Sequence, residues 1–215
     1  MRYLEYLQAY GRSFYDFFLD LRYGGYFGGK IKTRYAHLGA RETSSSNYSV
    51  LSCIFEKYKI NDSDVLVDVG CGKGRVINWW LKRGYENRMI GIEVDETIAA
   101  GTSRRFRRYK NVEIICGNAL ENIPADGTIF YFYNSFDRST TEEFKDRMKR
   151  IFGTSGGMTI FYVCCEHLDA FSGDPSWTIY SNASAFFKND RELTLKDLDL
   201  PTSYPIAVIE LRPVR

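Results

Sequence analysis

The chain has 215 residues, 44% of them apolar, with 29 Lys+Arg against 27 Asp+Glu and an aromatic complement of 16 Tyr, 15 Phe and 3 Trp. So much apolar and aromatic content at a net charge of +2 excludes a disordered chain, and 18 Gly and 5 Pro spread without period exclude collagen-like or low-complexity sequence. Charged or polar residues break every apolar run well short of the roughly 18 a membrane span needs, and the length suits one domain around one core.

Met1 to Tyr10 carries Arg2 and Glu5 among tyrosines and has no continuous apolar stretch, so a cytoplasmic protein is expected. Cys53, Cys71, Cys116, Cys164 and Cys165 include no C-x-x-C pair, and no clustered histidines accompany them. Free, mostly buried thiols and no metal site are the expectation. Residues 1–60 hold nine basic and five acidic side chains, which leaves a net of −2 for the remainder; neither part is basic enough to indicate a nucleic-acid partner.

From the N-terminus, Tyr3, Tyr6, Leu7, Tyr10, Phe14, Phe17, Phe18 and Leu21 recur every three or four residues, the period of a helix burying one broad face. Gly24 to Gly29 then reads as a loop, and a second helix is predicted over about Tyr48–Tyr58 with Val50, Leu51, Ile54 and Phe55 inward. These two helices make an N-terminal helical cap, residues 1–60, of the same domain whose remainder is residues 61–215.

Beyond Asp64 strands and helices alternate: strand Val65–Val69, helix Val76–Arg83, strand Met89–Val94, helix Glu96–Tyr109, strand Val112–Cys116, strand Thr128–Tyr133, helix Thr141–Phe152 and strand Met158–Cys164. Trp177–Phe187 and Ile206–Leu211 follow as two strands with no helix between them. Such an order predicts an α/β fold: an open, mostly parallel seven-stranded sheet, helices on both faces, and an antiparallel C-terminal strand.

Val65 to Gly74 reads V-L-V-D-V-G-C-G-K-G, a buried strand running into a glycine turn that opens a helix. Asp68 precedes the first glycine by two residues, and Glu93 ends the next strand 19 residues after Gly74. An acid in that position can accept both hydroxyls of a ribose at the switch point of an open sheet. The spacing is G-x-G-x-G, and the sixth position, where a dinucleotide fingerprint wants glycine, is Arg75. A nicotinamide enzyme is therefore disfavoured.

That turn with its acid resembles motif I of the Rossmann-like (class I) S-adenosylmethionine-dependent methyltransferases. More narrowly, D-V-G-C-G-K-G-R-V, G-I-E-V-D and Asn134-Ser135-Phe136 resemble small bacterial methyltransferases with an N-P-F-like fourth motif, Ser135 standing for the proline. The resemblance spans about residues 48–170 and implies S-adenosyl-L-methionine as cofactor. It implies that Asp68, Gly70, Cys71, Gly72 and Gly74 hold the methionine end, Glu93 the ribose, and Asn118 with Ala119 the adenine. Asn134 and Tyr133, at the carboxyl end of the fourth strand, would face the methyl acceptor, and His167 after the fifth could take a proton from an attacking hydroxyl.

The enzyme so implied moves a methyl group to an oxygen or nitrogen, and the compact chain favours a small molecule or glycan sugar as acceptor. A macromolecular N-methyltransferase and a non-catalytic nucleotide-binding module are the alternatives. Arg104, Arg105, Arg107, Arg108 and Lys110 form the densest basic run, read as a solvated helix face. The ten rings of residues 1–27 are expected to form a lid or wall of the acceptor pocket.

Overall fold

The computed structural model describes residues 14–42, 44–154, 157–180 and 205–211. After helix α1 (14–22) and a short 3-10 turn at Ala36–Leu38, the elements are α2 (Tyr48–Phe55), β1 (Val65–Val69), α3 (Arg75–Lys82), β2 (Arg88–Glu93), α4 (Glu96–Phe106), β3 (Val112–Cys116), β4 (Ile129–Tyr133), α5 (Arg138–Phe152), β5 (Thr159–Val163), β6 (Trp177–Tyr180) and β7 (Ile206–Leu211). Seven strands form one sheet in the order β3-β2-β1-β4-β5-β7-β6. The first five strands pair in parallel, and β7 runs antiparallel to both β5 and β6.

Alternation along each strand divides the apolar residues between two cores. Leu66, Tyr131 and Phe161 face one side with Leu51, Ile54, Trp79 and Trp80 from α2 and α3. Val67, Val69, Phe130 and Ile160 face the other with Phe144, Met148 and Phe152 from α5. Helices thus cover both faces, as parallel strands require. Among the described residues no helix is long and apolar enough to cross a membrane.

The element boundaries depart from expectation mainly at helix ends. Helix α5 starts at Arg138, three residues before the predicted Thr141, because Asp137 caps it by accepting the Thr140 N–H at 2.9 Å. Residues 181–187 of the predicted Trp177–Phe187 strand, and residues 1–13 of the predicted first helix, lie outside the described residues.

The described part of α1 corrects the sequence reading. Phe14, Phe17, Phe18 and Leu21 are exposed, whereas Asp16 and Asp20 are buried. Periodicity had separated the two faces of this helix correctly but oriented them the wrong way round. The reason is Arg75. It too is buried, not solvated as a helix-start cation usually is, and its Nη2 and Nε donate to the two Asp20 carboxylate oxygens at 2.6 and 3.0 Å. Asp16 stands 3.5 Å from Nη1, and the Ser46 carbonyl accepts from the same nitrogen at 3.0 Å. A buried guanidinium needs these acceptors more than the core needs three more rings and a leucine.

Candidate active site

A cleft lies at the carboxyl ends of β1, β2 and β4, where open α/β sheets bind ligands. Its floor is the glycine turn after β1. Gly70 and Cys71 both donate their N–H groups to the Ile92 carbonyl at 2.9 Å, Gly72 donates to Glu93 Oε2 at 2.9 Å, and the Thr102 hydroxyl holds the Gly72 carbonyl at 2.8 Å. The turn is therefore pinned to β2 and α4 before any ligand arrives.

Two of its glycines are required by geometry. Gly70 has φ +77°, and a Cβ there would stand 2.6 Å from Ser135 Oγ at the cleft wall. Gly74, at φ +82°, would drive a Cβ to 2.4 Å from the Phe106 ring, so it sets the close packing of α3 on α4. Gly70, Cys71 and Gly72 line the cleft, as do Asp68, Glu93, Asn118 and Ala119; Gly74 acts from behind the lining. The Cys71 thiol is buried, and burial pushes its pKa up, so it is an inert wall atom.

Glu93 is 5% exposed, and each of its oxygens accepts one backbone N–H, Oε2 from Gly72 and Oε1 from Asp95, both at 2.9 Å. A carboxylate has about four acceptor sites, so two remain for a diol. Burial raises its pKa while these backbone bonds pull it down. Asp68 is harder pressed: it is 3% exposed, and burial, aided by the Glu93 charge, lifts its carboxyl to about 8. Its Oδ2 has no hydrogen-bond partner among the described residues. An orphaned acid oxygen in a cleft wall fits an incoming ammonium or hydroxyl donor.

Asn118 Oδ1 accepts the Leu120 N–H at 3.0 Å, and its carbonyl accepts from Asn122 Nδ2 at 2.8 Å, which closes the turn after β3 against the cleft. Of the residues expected to face an acceptor, Tyr133 lines the cleft. Asn134 and His167 stand outside the lining and meet at Tyr162, whose hydroxyl donates to Asn134 Oδ1 and accepts the His167 N–H, both at 3.3 Å. Asn134 takes φ +41°, in the left-handed region.

Sequence reasoning missed the segment that roofs the cleft. Leu38, Ala40, Arg41, Glu42 and Ser44 to Ser46 line it, and none of the described rings from Phe14 to Phe27 does; Tyr3, Tyr6 and Tyr10 lie outside the described residues. Ala40 bridges Phe136 in antiparallel fashion, the Arg41 N–H donates to the Ser135 carbonyl at 3.0 Å, and Asp137 N–H donates to the Gly39 carbonyl at 2.9 Å. Ser135, where the resembled motif has proline, donates its hydroxyl to the Val69 carbonyl at 2.9 Å, a bond proline lacks the group to make.

Residues 66–155 match the family described as methyltransferase domain. No curated protein matches the chain. Solved structures do. An RNA methyltransferase from Salinibacter ruber, in complex with S-adenosyl-L-homocysteine, superposes with a TM-score of 0.55 at 18% identity over 80% of this chain and 95% of that one. Geranyl diphosphate C-methyltransferase from Streptomyces coelicolor A3(2), in complex with Mg2+, geranyl diphosphate and S-adenosyl-L-homocysteine, gives 0.50 at 16% identity over 77% and 80%. At such identity these likenesses show the fold.

Sheet order, glycine turn and the match over residues 66–155 are those of a Rossmann-like methyltransferase domain. Residues 66–155 are thus similar to the methyltransferase domain, and solved structures of the same fold hold S-adenosyl-L-homocysteine.

Proposed function

We propose that this enzyme transfers the methyl group to an oxygen or nitrogen of a small polar acceptor, a small molecule or a glycan sugar. The observation that carries this reading is the roof: residues 38–42, bridged to Phe136 through Ala40, and residues 44–46 close the cleft beside Tyr133. A roofed cleft lined by serines, Arg41 and Glu42 suits a compact acceptor rich in hydroxyls.

When bound, the cofactor supplies a sulfonium-activated methyl group, so the chain's task is to orient and to exclude water. In this reading the Glu93 carboxylate accepts the ribose hydroxyls, Asp68 Oδ2 accepts from the methionine ammonium, and the Gly70–Gly72 backbone supports the methionine end. Asn118 and Ala119 flank the adenine. Tyr133 faces the acceptor, where an aromatic face favours positive charge. Asn134 and His167 hold the rim through Tyr162, beside the Arg41–Glu166 ion pair of 2.5 Å. The cytoplasm is the proposed compartment, and residues 1–60 form the cap of the catalytic domain 61–215.

Incubation with cofactor labelled in its methyl group, followed by size separation of the products, tests the acceptor class. Label in a low-molecular-weight or oligosaccharide fraction from a cell extract supports the reading. Label confined to protein or RNA overturns it.

A further inference from the structure

The reversed helix α1 leaves an unusual surface. Phe14, Phe17, Phe18 and Leu21 follow the i, i+3, i+4, i+7 spacing of one helical face, and they are 64%, 40%, 53% and 54% exposed. Phe14 meets Phe18 edge to face at 4.8 Å, Phe17 meets Phe18 at 6.1 Å, and Tyr26, 51% exposed, extends the patch from Phe17 at 5.9 Å. A contiguous patch of this kind marks an interaction site.

Its surroundings are cationic. Residues 21–41 contain Arg22, Lys30, Lys32, Arg34 and Arg41 and no acid, and residues 97–112 contain Arg104, Arg105, Arg107, Arg108 and Lys110 and no acid. These two runs meet where the Arg105 guanidinium lies 4.3 Å from the Phe27 ring centroid, and Lys73 Nζ adds a cation 5.2 Å from that of Tyr26. Among the described residues Arg22, Lys30, Lys32, Arg104, Arg107 and Arg108 make no ion pair. The acids of α1 itself, Asp16 and Asp20, are turned inward to Arg75 and leave the outer face uncompensated.

We propose that this face docks the enzyme peripherally on an anionic lipid surface, the α1 rings and Leu21 entering the headgroup boundary while Arg22, Lys30 and Lys32 meet the lipid phosphates. An apolar helical face fringed by free cations has the composition of an interfacial helix. A single-stranded nucleic acid fits less well, because its bases need open ring faces. Here Phe14 and Phe18 turn edge to face on one another, and Leu21 offers nothing to stack on. Each cation near an anionic surface contributes about five-fold to partitioning.

Flotation of the full chain with vesicles of phosphatidylcholine alone, or mixed with phosphatidylglycerol, tests the proposal. The protein is expected to float with the anionic vesicles, to be released as salt shortens the screening length, and to bind pure phosphatidylcholine far less. Arg22→Glu with Lys32→Glu should weaken binding at least about twenty-five-fold, two cations at about five-fold each, and Phe14→Ser with Phe18→Ser should abolish it. These sites lie outside the cleft, so the thermal shift given by S-adenosylhomocysteine should persist in both variants and shows that they fold. Absence of flotation at about 1 mM anionic lipid overturns the proposal, as does unchanged binding in the Phe14/Phe18 variant. So does salt-sensitive binding of a single-stranded RNA oligonucleotide lost in the same variants, or a dimer in sedimentation that the Phe14/Phe18 variant dissociates.

Discussion

Arg75 Nη2 and Asp20 Oδ2 stand 2.6 Å apart, across 55 residues of sequence, with both side chains buried. The same Asp20 carboxylate accepts the Tyr48 hydroxyl at 2.8 Å and the Phe27 and Gly28 N–H groups at 3.0 and 3.1 Å. One carboxylate therefore ties α1, the 24–29 loop and α2 to the first residue of α3, immediately behind the glycine turn.

Removing one member leaves the other charged and buried. Asp20→Ala is expected to cost about 3–5 kcal/mol, or roughly 6–20 °C in melting temperature for a chain of this size. Differential scanning calorimetry measures it. An exposed substitution on the same helix, Phe18→Ser, should change the midpoint little.

Asp16 gives this network a pH dependence. Burial, outweighing the nearby Arg75 charge, lifts its carboxyl from 3.8 to about 6. The folded state then holds the proton more tightly than the unfolded state, so this group's contribution to stability falls as pH rises from about 4 to about 6 and is level above that. Asp16→Asn should remove the slope: wild-type minus variant stability, followed by urea denaturation, declines over that range. A flat difference contradicts the assignment.

Asp68, raised to about 8, predicts proton release when the cofactor binds. An ammonium placed against Oδ2 favours the carboxylate, so binding at pH 7 should release about one proton. Calorimetric titration in buffers of different ionisation enthalpy reads this directly. Asp68→Asn should bind more weakly and release none.

Gly74→Ala combines a positive φ with a clash against the Phe106 ring. A loss of about 1–3 kcal/mol is expected, together with weaker cofactor binding, because α4 also holds the Gly72 carbonyl through Thr102. Thermal melts with and without S-adenosylhomocysteine separate the two effects.

The parts of the molecule legible in the sequence were those encoded locally. Val65–Val69 and Gly70–Gly74 declare strand, turn and helix within ten residues, and the mostly parallel sheet follows from the alternation behind them. The place of Glu93 in the cleft was legible because its distance from the turn is fixed by one helix and one strand. The roof was not, since Gly39 to Ser46 is unremarkable polar sequence that acquires a role only by pairing with Ser135 to Asp137, about 96 residues later by the measure of the Ala40–Phe136 bridge. The direction of α1 was hidden for the same reason: its inward face is chosen by Arg75, which no periodicity in residues 3–21 can register.

The proposed binding of S-adenosylmethionine in the cleft between β1 and β2 rests on Glu93. Isothermal titration of wild type and Glu93→Ala with S-adenosylhomocysteine, both proteins first shown to be folded by circular dichroism, tests it most directly. Saturable one-to-one binding to wild type, lost in Glu93→Ala and not restored by Glu93→Gln, is the predicted result. No binding to wild type at millimolar ligand, or equal affinity in wild type and Glu93→Ala, would contradict it.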